Sequence, residues 1–505
     1  MKARAIFLLF LAAALPCPAQ NIYIHGDLRQ WHKVTLSVEG PSAKETDTDT
    51  NPFTDYRFNV RFRHESGSPN YLVPGYFAAD GNAGHSSATS GNIWRAHFSP
   101  DAPGEWRYTI EFKKGTDAAI DNDAEVESVH PIHRRSGVIR IERTNKKNPD
   151  FRARGRLKYV GERYLQFTGS REFFLKFGAD SPESLLAYVD FDGTEAVKDT
   201  PAREGEAKPT GLHQYEPHLK DWKDGDPTWK DGKGKGLIGA LNYLASTGAN
   251  AFSFLTYNAG GDGNNVWPFV KREDKFHYDC SKLDQWQIVF DHAQRLGLYL
   301  HFKLQETEMD DTRSGGNREK RSVPTALDGG ELGRERKLYL RELIARFGYA
   351  LALNWNLGEE NTQSAEEQRA MAKYIRDLDP YNLHIVIHTY PNEQERVYNE
   401  LTGDKSVLTG VSLQNHWNAV HERTLKWIKA SDAAGKQWVV ANDEQGPADY
   451  GVPPDPGYAG HNGKAGTGDN TYNMHDIRKY THWGNLMAGG AGVEYFFGYR
   501  LPQND

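Results

Sequence analysis

The chain has 505 residues and a formal net charge of −7. That length allows two or three domains, and the charge leaves no basic field to neutralise phosphates, so neither nucleic acid nor an anionic membrane surface is expected as a partner. Aromatic residues make up 12%, with 12 Trp and 25 Tyr, more than a plain core needs and suited to a cleft that stacks flat ring faces. The predicted elements begin with residues 1–20, where Lys2 and Arg4 precede an apolar run over 5–15 and a small-residue site ends at Ala19. This reads as a secretory signal peptide, too short to anchor in a bilayer, and it predicts a secreted or periplasmic bacterial protein. Pro16 stands before Cys17 where a lipoprotein signal needs a small residue, so lipidation is not expected. Cys280 is then the one cysteine left, which rules out an internal disulfide and a thiol-rich metal site.

Over 21–116 the apolar residues alternate with period two: Val34, Leu36, Val38; Phe58, Val60, Phe62; Trp106, Tyr108, Ile110, Phe112. Such runs, separated by turn-rich segments at 81–91 and 99–104, predict an antiparallel β-sandwich. Residues 117–163 are charged and irregular and read as a connector holding a strand or two. From 164 to 505 the rhythm becomes apolar strand, loop, amphipathic helix. Eight strand candidates lie at 173–177, 251–256, 299–304, 350–357, 384–388, 411–414, 438–441 and 493–497. Intervening helices place Trp286, Val289, Phe290, Ala293, then Leu340, Leu343, Ile344, Phe347, then Met371, Tyr374, Ile375, Leu378 at helical spacing. The expected fold class is therefore α/β, a (β/α)₈ TIM barrel preceded by a β-sandwich, with a doubly wound sheet as the alternative. The sequence ends soon after the eighth strand, without a helix to follow it, as a truncated record would.

In such a barrel the functional groups project from the C-terminal strand ends. Two of these ends carry carboxylates: Glu359 and Glu360 after strand four, in Asn354-Trp355-Asn356-Leu357-Gly358-Glu359-Glu360-Asn361, and Glu444 after strand seven, in Val439-Val440-Ala441-Asn442-Asp443-Glu444-Gln445-Gly446. Glycosidic hydrolysis needs such a pair, one carboxyl to protonate the leaving oxygen and one to attack or stabilise the anomeric carbon. Acidic residues also favour loop starts and helix N-termini for capping, which accounts for one carboxylate more readily than for two.

The pattern resembles the retaining glycoside hydrolases of clan A, the superfamily of cellulases and β-mannanases. The resemblance implies Glu360 as acid/base and Glu444 as nucleophile, with a neighbouring carboxylate, Glu444 or Glu359, helping Glu360 keep its proton. The clan usually has Asn before the acid/base, where this chain has Glu359, so the choice of acid between Glu359 and Glu360 stays open. The whole chain also resembles a secreted group of hydrolases whose N-terminal module is a domain of unknown function. Its traits are Gly91-Asn92-Ile93-Trp94, the run from Phe98 to Trp106, and Gly178-Ala179-Asp180-Ser181-Pro182-Glu183.

Other strand ends supply expected carbohydrate-binding residues: Asp180 and Glu183, Tyr257 and Asn258, Gln305 and Glu306, and His416 with Trp417, of which His416 lies where the clan often bonds the nucleophile. Trp267 and Trp417 could form stacking platforms or simply close the core. Residues 457–465 read as a mobile active-site loop, since the spacing departs from a phosphate loop and Ala465 replaces its Ser/Thr. The acidic stretch 190–226 reads as a surface loop rather than a calcium site, and no cofactor or metal is expected. No His-Glu-x-x-His helix or Gly-x-Ser-x-Gly elbow occurs. The expected function is retaining hydrolysis of a plant or algal polysaccharide or oligosaccharide. The alternatives are a non-catalytic carbohydrate-binding protein on the same scaffold and a polysaccharide lyase. Oligomeric state is not legible.

Overall fold

The computed structural model describes residues 21–198, 207, 211–259, 263–306 and 327–500; residues 1–20, expected to be a signal peptide, lie outside them. The N-terminal region forms β1 (Ile22–His25), β2 (Val34–Lys44), β3 (Tyr56–His64), β4 (Asn70–Pro74), β5 (Tyr76–Phe77), a short helix α1 (Ala83–Ser86), β6 (Ser90–Phe98), β7 (Gly104–Lys114), β8 (Glu127–Ser128) and β9 (Ser136–Ile141). One sheet runs β1-β2-β6-β5 and the other β4-β3-β7-β8, with β9 also on β7. The pairs β1/β2, β2/β6, β3/β4 and β3/β7 are all antiparallel. The period-two residues named above are all buried, and between the sheets Phe62 stacks on Phe98 at 4.1 Å. The sandwich extends into the expected connector, because β8 and β9 complete the second sheet.

Next come β10 (Leu157–Tyr159), β11 (Leu165–Phe167) and β12 (Phe173–Phe174), an antiparallel trio that straddles the expected boundary at 163. Leu157, Leu165, Phe167 and Phe174 share a buried cluster with Tyr299, Val439 and Ala491, and so plug the N-terminal end of the barrel. The predicted strand at 173–177 is consequently split, its first residues serving the plug and the rest the barrel.

The barrel consists of β13 (Lys176–Ala179), α2 (Lys235–Ser246), β14 (Ala251–Leu255), α3 (Cys280–Leu296), β15 (Tyr299–Lys303), α4 (Arg334–Phe347), β16 (Leu353–Asn356), α5 (Ala365–Leu378), β17 (His384–Val386), β18 (His388–Thr389), α6 (Gln394–Tyr398), β19 (Gly410–His416), α7 (Val420–Ala433) and β20 (Val439–Gly446). A hairpin of β21 (Lys464–Ala465) and β22 (Tyr472–Asn473), the short helices α8 (Met474–Asp476) and α9 (Trp483–Met487), and β23 (Gly492–Tyr495) complete it. All barrel pairs are parallel, and β23 pairs with both β20 and β13, closing the ring and excluding the doubly wound alternative. The fifth strand is broken at Ile387, its halves bonding β16 and β19 in turn.

Local sequence explains these elements. Asp279 caps α3 by accepting from the Lys282 N–H, Gly297 ends it in the left-handed region, and Ser364 with Glu367 makes a capping box for α5. The sandwich docks on the side of the barrel through polar groups. His97 of β6 meets Tyr76 and Thr35 of its own module and Gln287 of α3, while Arg341 and Arg346 of α4 donate to the Phe58 and Phe77 carbonyls. A single hydrophobic cluster runs through both modules. No helix among the described residues is long and apolar enough to cross a membrane.

Candidate active site

Strand register decides which residues face the barrel axis. Lys176 aligns with Gly492 and Gly178 with Glu494 and Ala251; Ser253 aligns with His301 and Leu255 with Lys303; His301 and Lys303 align with Asn354 and Asn356. Neighbours in parallel register point to one face, so a column of polar side chains fills the axis where branched apolar residues usually pack. Gly178 is required in this column, since a Cβ there would lie 2.1 Å from the Ala251 carbonyl oxygen.

Two local irregularities aim carboxylates into the mouth. On β20 the register shifts so that Leu413 faces Asn442 while Gln414 faces Glu444, leaving Asp443 as the extra residue of a bulge. Without the bulge Asp443 and Glu444 would point to opposite faces; with it both turn inward. After β16, Gly358 has φ 155° and Glu360 has φ 44°. The left-handed conformation costs a side-chain-bearing residue about 1–2 kcal/mol. It is held by Glu359 N–H donating to the Gln305 carbonyl at 2.7 Å, Asn361 N–H donating to the His388 carbonyl at 2.9 Å, and Asn361, Gln363 and Gln368 linked by side-chain hydrogen bonds.

The result is convergence. The Gln414 amide nitrogen donates to Glu360 Oε1 at 2.9 Å and to Glu444 Oε1 at 2.8 Å. One nitrogen bonded to both places the two oxygens within about 6 Å of each other, near the ~5–5.5 Å of carboxyl pairs that work by double displacement and short of most single-displacement pairs. Glu444 is 4% exposed and Glu360 half-buried.

Beneath the pair lies a charged cluster with almost no access to water. Lys303 Nζ contacts Glu359, Asp180 at 2.7 Å and Glu183 at 3.4 Å, and His388 Nε2 lies 2.9 Å from Glu359 and 3.3 Å from Glu444. Burial works to raise the Glu359 carboxyl, but His388 and Lys303 outweigh it and hold the group below its ordinary value, so Glu359 is ionised. Burial opposes a charge on His388, yet Glu359 raises it well above the ordinary imidazole value. Asp180 goes up, driven by burial against the pull of Lys303. Lower in the axis, Lys176 Nζ contacts Asp443 at 2.6 Å and Glu494 at 3.4 Å, and His301 contacts Glu494 at 2.6 Å.

Among the described residues, three groupings bring ligating atoms within 4.8 Å of one another: His301, Asp443 and Glu494; Glu359, His388 and Glu444; and Asp180, Glu183 and Glu444. A protein ammonium already sits against each, Lys176 for the first and Lys303 for the other two.

Of the residues expected to bind sugar, Asp180, Glu183 and Glu359 are brought together with the pair, although as ion partners of Lys303. The others lie elsewhere in the packing. His416 is exposed and bonds Asn418 at 2.8 Å, so the strand-six residue that bonds Glu444 is Gln414, two positions earlier and on the inward face. Trp417 is 8% exposed and stacked on Tyr472 at 5.1 Å, which fixes the β21–β22 hairpin; the expected loop at 457–465 thus contains a turn at 458–460 and a paired strand. Trp267 is buried under Lys282 and closes the core. Tyr257 is buried against Phe269 and Tyr339, and the Asn258 side chain donates to the Asn264 carbonyl. Gln305 accepts from Arg336 and supports the Glu359 turn, and Glu306 is buried at the edge of the described residues. In the acidic stretch, Asp190, Asp192 and Asp226 accept from Gly234, Lys230 and Asn242; residues 199–206 and 208–210 lie outside the described residues.

Lys303, His388 and Gln414 were not singled out from the sequence. Their signal is a polar residue at an inward register position of a parallel strand, which becomes visible once the register is known.

Residues 27–113 match the domain of unknown function DUF5060, as expected for the sandwich. No curated protein matches the chain. Among solved structures it is similar to a candidate glycoside hydrolase from Bacteroides vulgatus, at 16% identity and TM-score 0.49, covering 83% of this chain and 65% of that one. It is also similar to a glycoside hydrolase family 5 protein from Bacteroides vulgatus, at 15% identity and TM-score 0.42, covering 71% and 68%. A Ruminococcus gnavus beta-glucuronidase is similar at 10% identity and TM-score 0.39, covering 94% and 60%. The chain thus spans less than two thirds of the first and third of these proteins.

Proposed function

We infer that the chain is a secreted glycoside hydrolase that works with retention of anomeric configuration on a plant or algal polysaccharide or its oligosaccharides. The observation that carries this reading is the Gln414 amide holding Glu360 and Glu444 together across the barrel mouth. Glu444, fixed by Gln414, attacks the anomeric carbon while Glu360 protonates the departing glycosidic oxygen. Water then attacks the glycosyl ester with Glu360 acting as base. This reading takes Glu360 rather than Glu359 as the acid; Lys303 and His388 contact Glu359 and hold its carboxyl below the ordinary value, which supports that choice. The ordered column below the pair favours catalysis over passive binding, because preorganised charge is what such a transition state requires. A lyase using Lys303 or His388 as its base would need that group deprotonated, whereas the facing carboxylates raise both above their ordinary values.

The test is a screen of the mature protein on plant and algal glycans, with products followed by reducing-end assay and proton NMR. Release of a product whose initial anomer matches the cleaved linkage supports the reading; an inverted initial anomer, or binding without release, contradicts it. Glu360→Gln and Glu444→Gln should each lower turnover by about 10²–10⁴-fold or more.

A further inference from the structure

The mechanism above leaves one buried cation beside the nucleophile without a role. His388 opens β18, just after the break in the fifth strand, and its ring is fully buried. One nitrogen lies 3.2 Å from the Ser412 hydroxyl of β19. The other faces two carboxylates from different strand ends, Glu359 at 2.9 Å and Glu444 at 3.3 Å. It approaches Oε2 of Glu444, whereas Gln414 holds Oε1. The two neighbours therefore contact one oxygen each of that carboxylate. Lys303, the other cation within reach, contacts the opposite oxygen of Glu359 and also Asp180 and Glu183, so it balances the lower carboxylates and leaves Glu444 to His388.

We propose that His388 is a positioning residue for Glu444: its ring, shared between Glu359 and Glu444, orients the nucleophile from the side opposite Gln414. The proposal rests on the retaining reading of the Glu360/Glu444 pair. The charged groups that face His388 are Glu359 and Glu444, which favour its protonated form, and Lys303, which opposes it.

The experiment compares wild type, His388→Gln and the double variant Glu359→Gln/His388→Gln on a hydrolysed glycan or aryl glycoside, with kcat and KM against pH and thermal unfolding for each. His388→Gln alone leaves Glu359 buried opposite a neutral group and should melt lower; the double variant removes both charges and should recover the melting temperature. If His388 acts on Glu444, kcat in the double variant stays at least about 30-fold below wild type with KM within about threefold. Recovery of both melting temperature and kcat in the double variant would show that His388 merely neutralises Glu359, and would overturn the proposal. So would a His388→Gln enzyme with kcat within threefold of wild type. Should His388→Gln fail to fold, the double variant alone decides. Glu444→Gln in the same assay separates the layers: if it is inactive, a negative result at His388 sinks only the positioning role, whereas an active Glu444→Gln sinks the reading of the pair.

Discussion

The inward positions of β2, β3, β6 and β7 carry Val34, Leu36, Val38, Phe58, Val60, Phe62, Trp94, Phe98, Trp106, Ile110 and Phe112, all at most 2% exposed. Inward positions of the barrel strands, just as deeply buried, carry Asp180, Ser253, His301, Lys303, Asn354, Asn356, His388, Ser412 and Glu494. The first set gains free energy by leaving water, whereas the second loses hydration that ion pairs must offset. A barrel axis that gave only stability would be filled with branched apolar side chains; this one keeps charges in fixed places close to two converging carboxylates. Burial therefore identifies the core in one module and the site in the other.

The comparison yields graded expectations. The largest effect on stability belongs to Lys303→Met, which leaves Asp180, Glu183 and Glu359 buried without their shared ammonium. It should cost about 3–5 kcal/mol and abolish turnover, as measured by denaturant unfolding and by assay. Phe62→Ala should cost a similar or slightly smaller amount, about 3–4 kcal/mol, by opening a cavity against Phe98, yet activity per folded molecule should stay within twofold. Equal losses of turnover from the two variants would erase the distinction between the modules. Gln414→Ala should lower kcat by about 10²-fold and cost about 1–3 kcal/mol in unfolding, because it leaves the buried Glu444 carboxylate without its donor. His416→Ala should fall within twofold of wild type, since His416 bonds only Asn418 at the surface.

The pH dependence of stability carries the same contrast. Glu359 is held below its ordinary 4.5, so its contribution is complete above that pH and is lost as pH falls through the depressed folded value. His388 is raised above 6.5, so its contribution is complete below 6.5 and is lost as pH rises through the folded value. Unfolding free energy should thus be broadest between those two limits, and Glu359→Gln should flatten the acid limb while leaving the sandwich variant Phe62→Ala with its limb intact.

Much of this was legible in the sequence. The alternation in the sandwich, the eight barrel strands and the carboxylates at positions 360 and 444 follow from periodicity and strand ends, because apolar pattern and burial coincide there. The supporting residues were not, for a physical reason. Lys303 and His388 lie within or beside apolar β-runs, where a single polar residue gives no sign of which face it takes. Gln414 is aligned with Glu444 only through the bulge at Asp443, and a bulge of one residue leaves no mark on period two. His416 and Trp417 were favoured by position after a strand end, but the strand continues through His416, which moves the mouth-facing place back to Gln414.

The central claim, that Glu444 attacks and Glu360 exchanges the proton, is tested most directly by azide rescue of glycine variants on an aryl glycoside that the wild type hydrolyses. Glu444→Gly should be inactive in buffer and, with azide, yield a glycosyl azide of inverted configuration, while Glu360→Gly should yield one of retained configuration. Hydrolysis by Glu444→Gly without azide, or the same azide anomer from both variants, would contradict it.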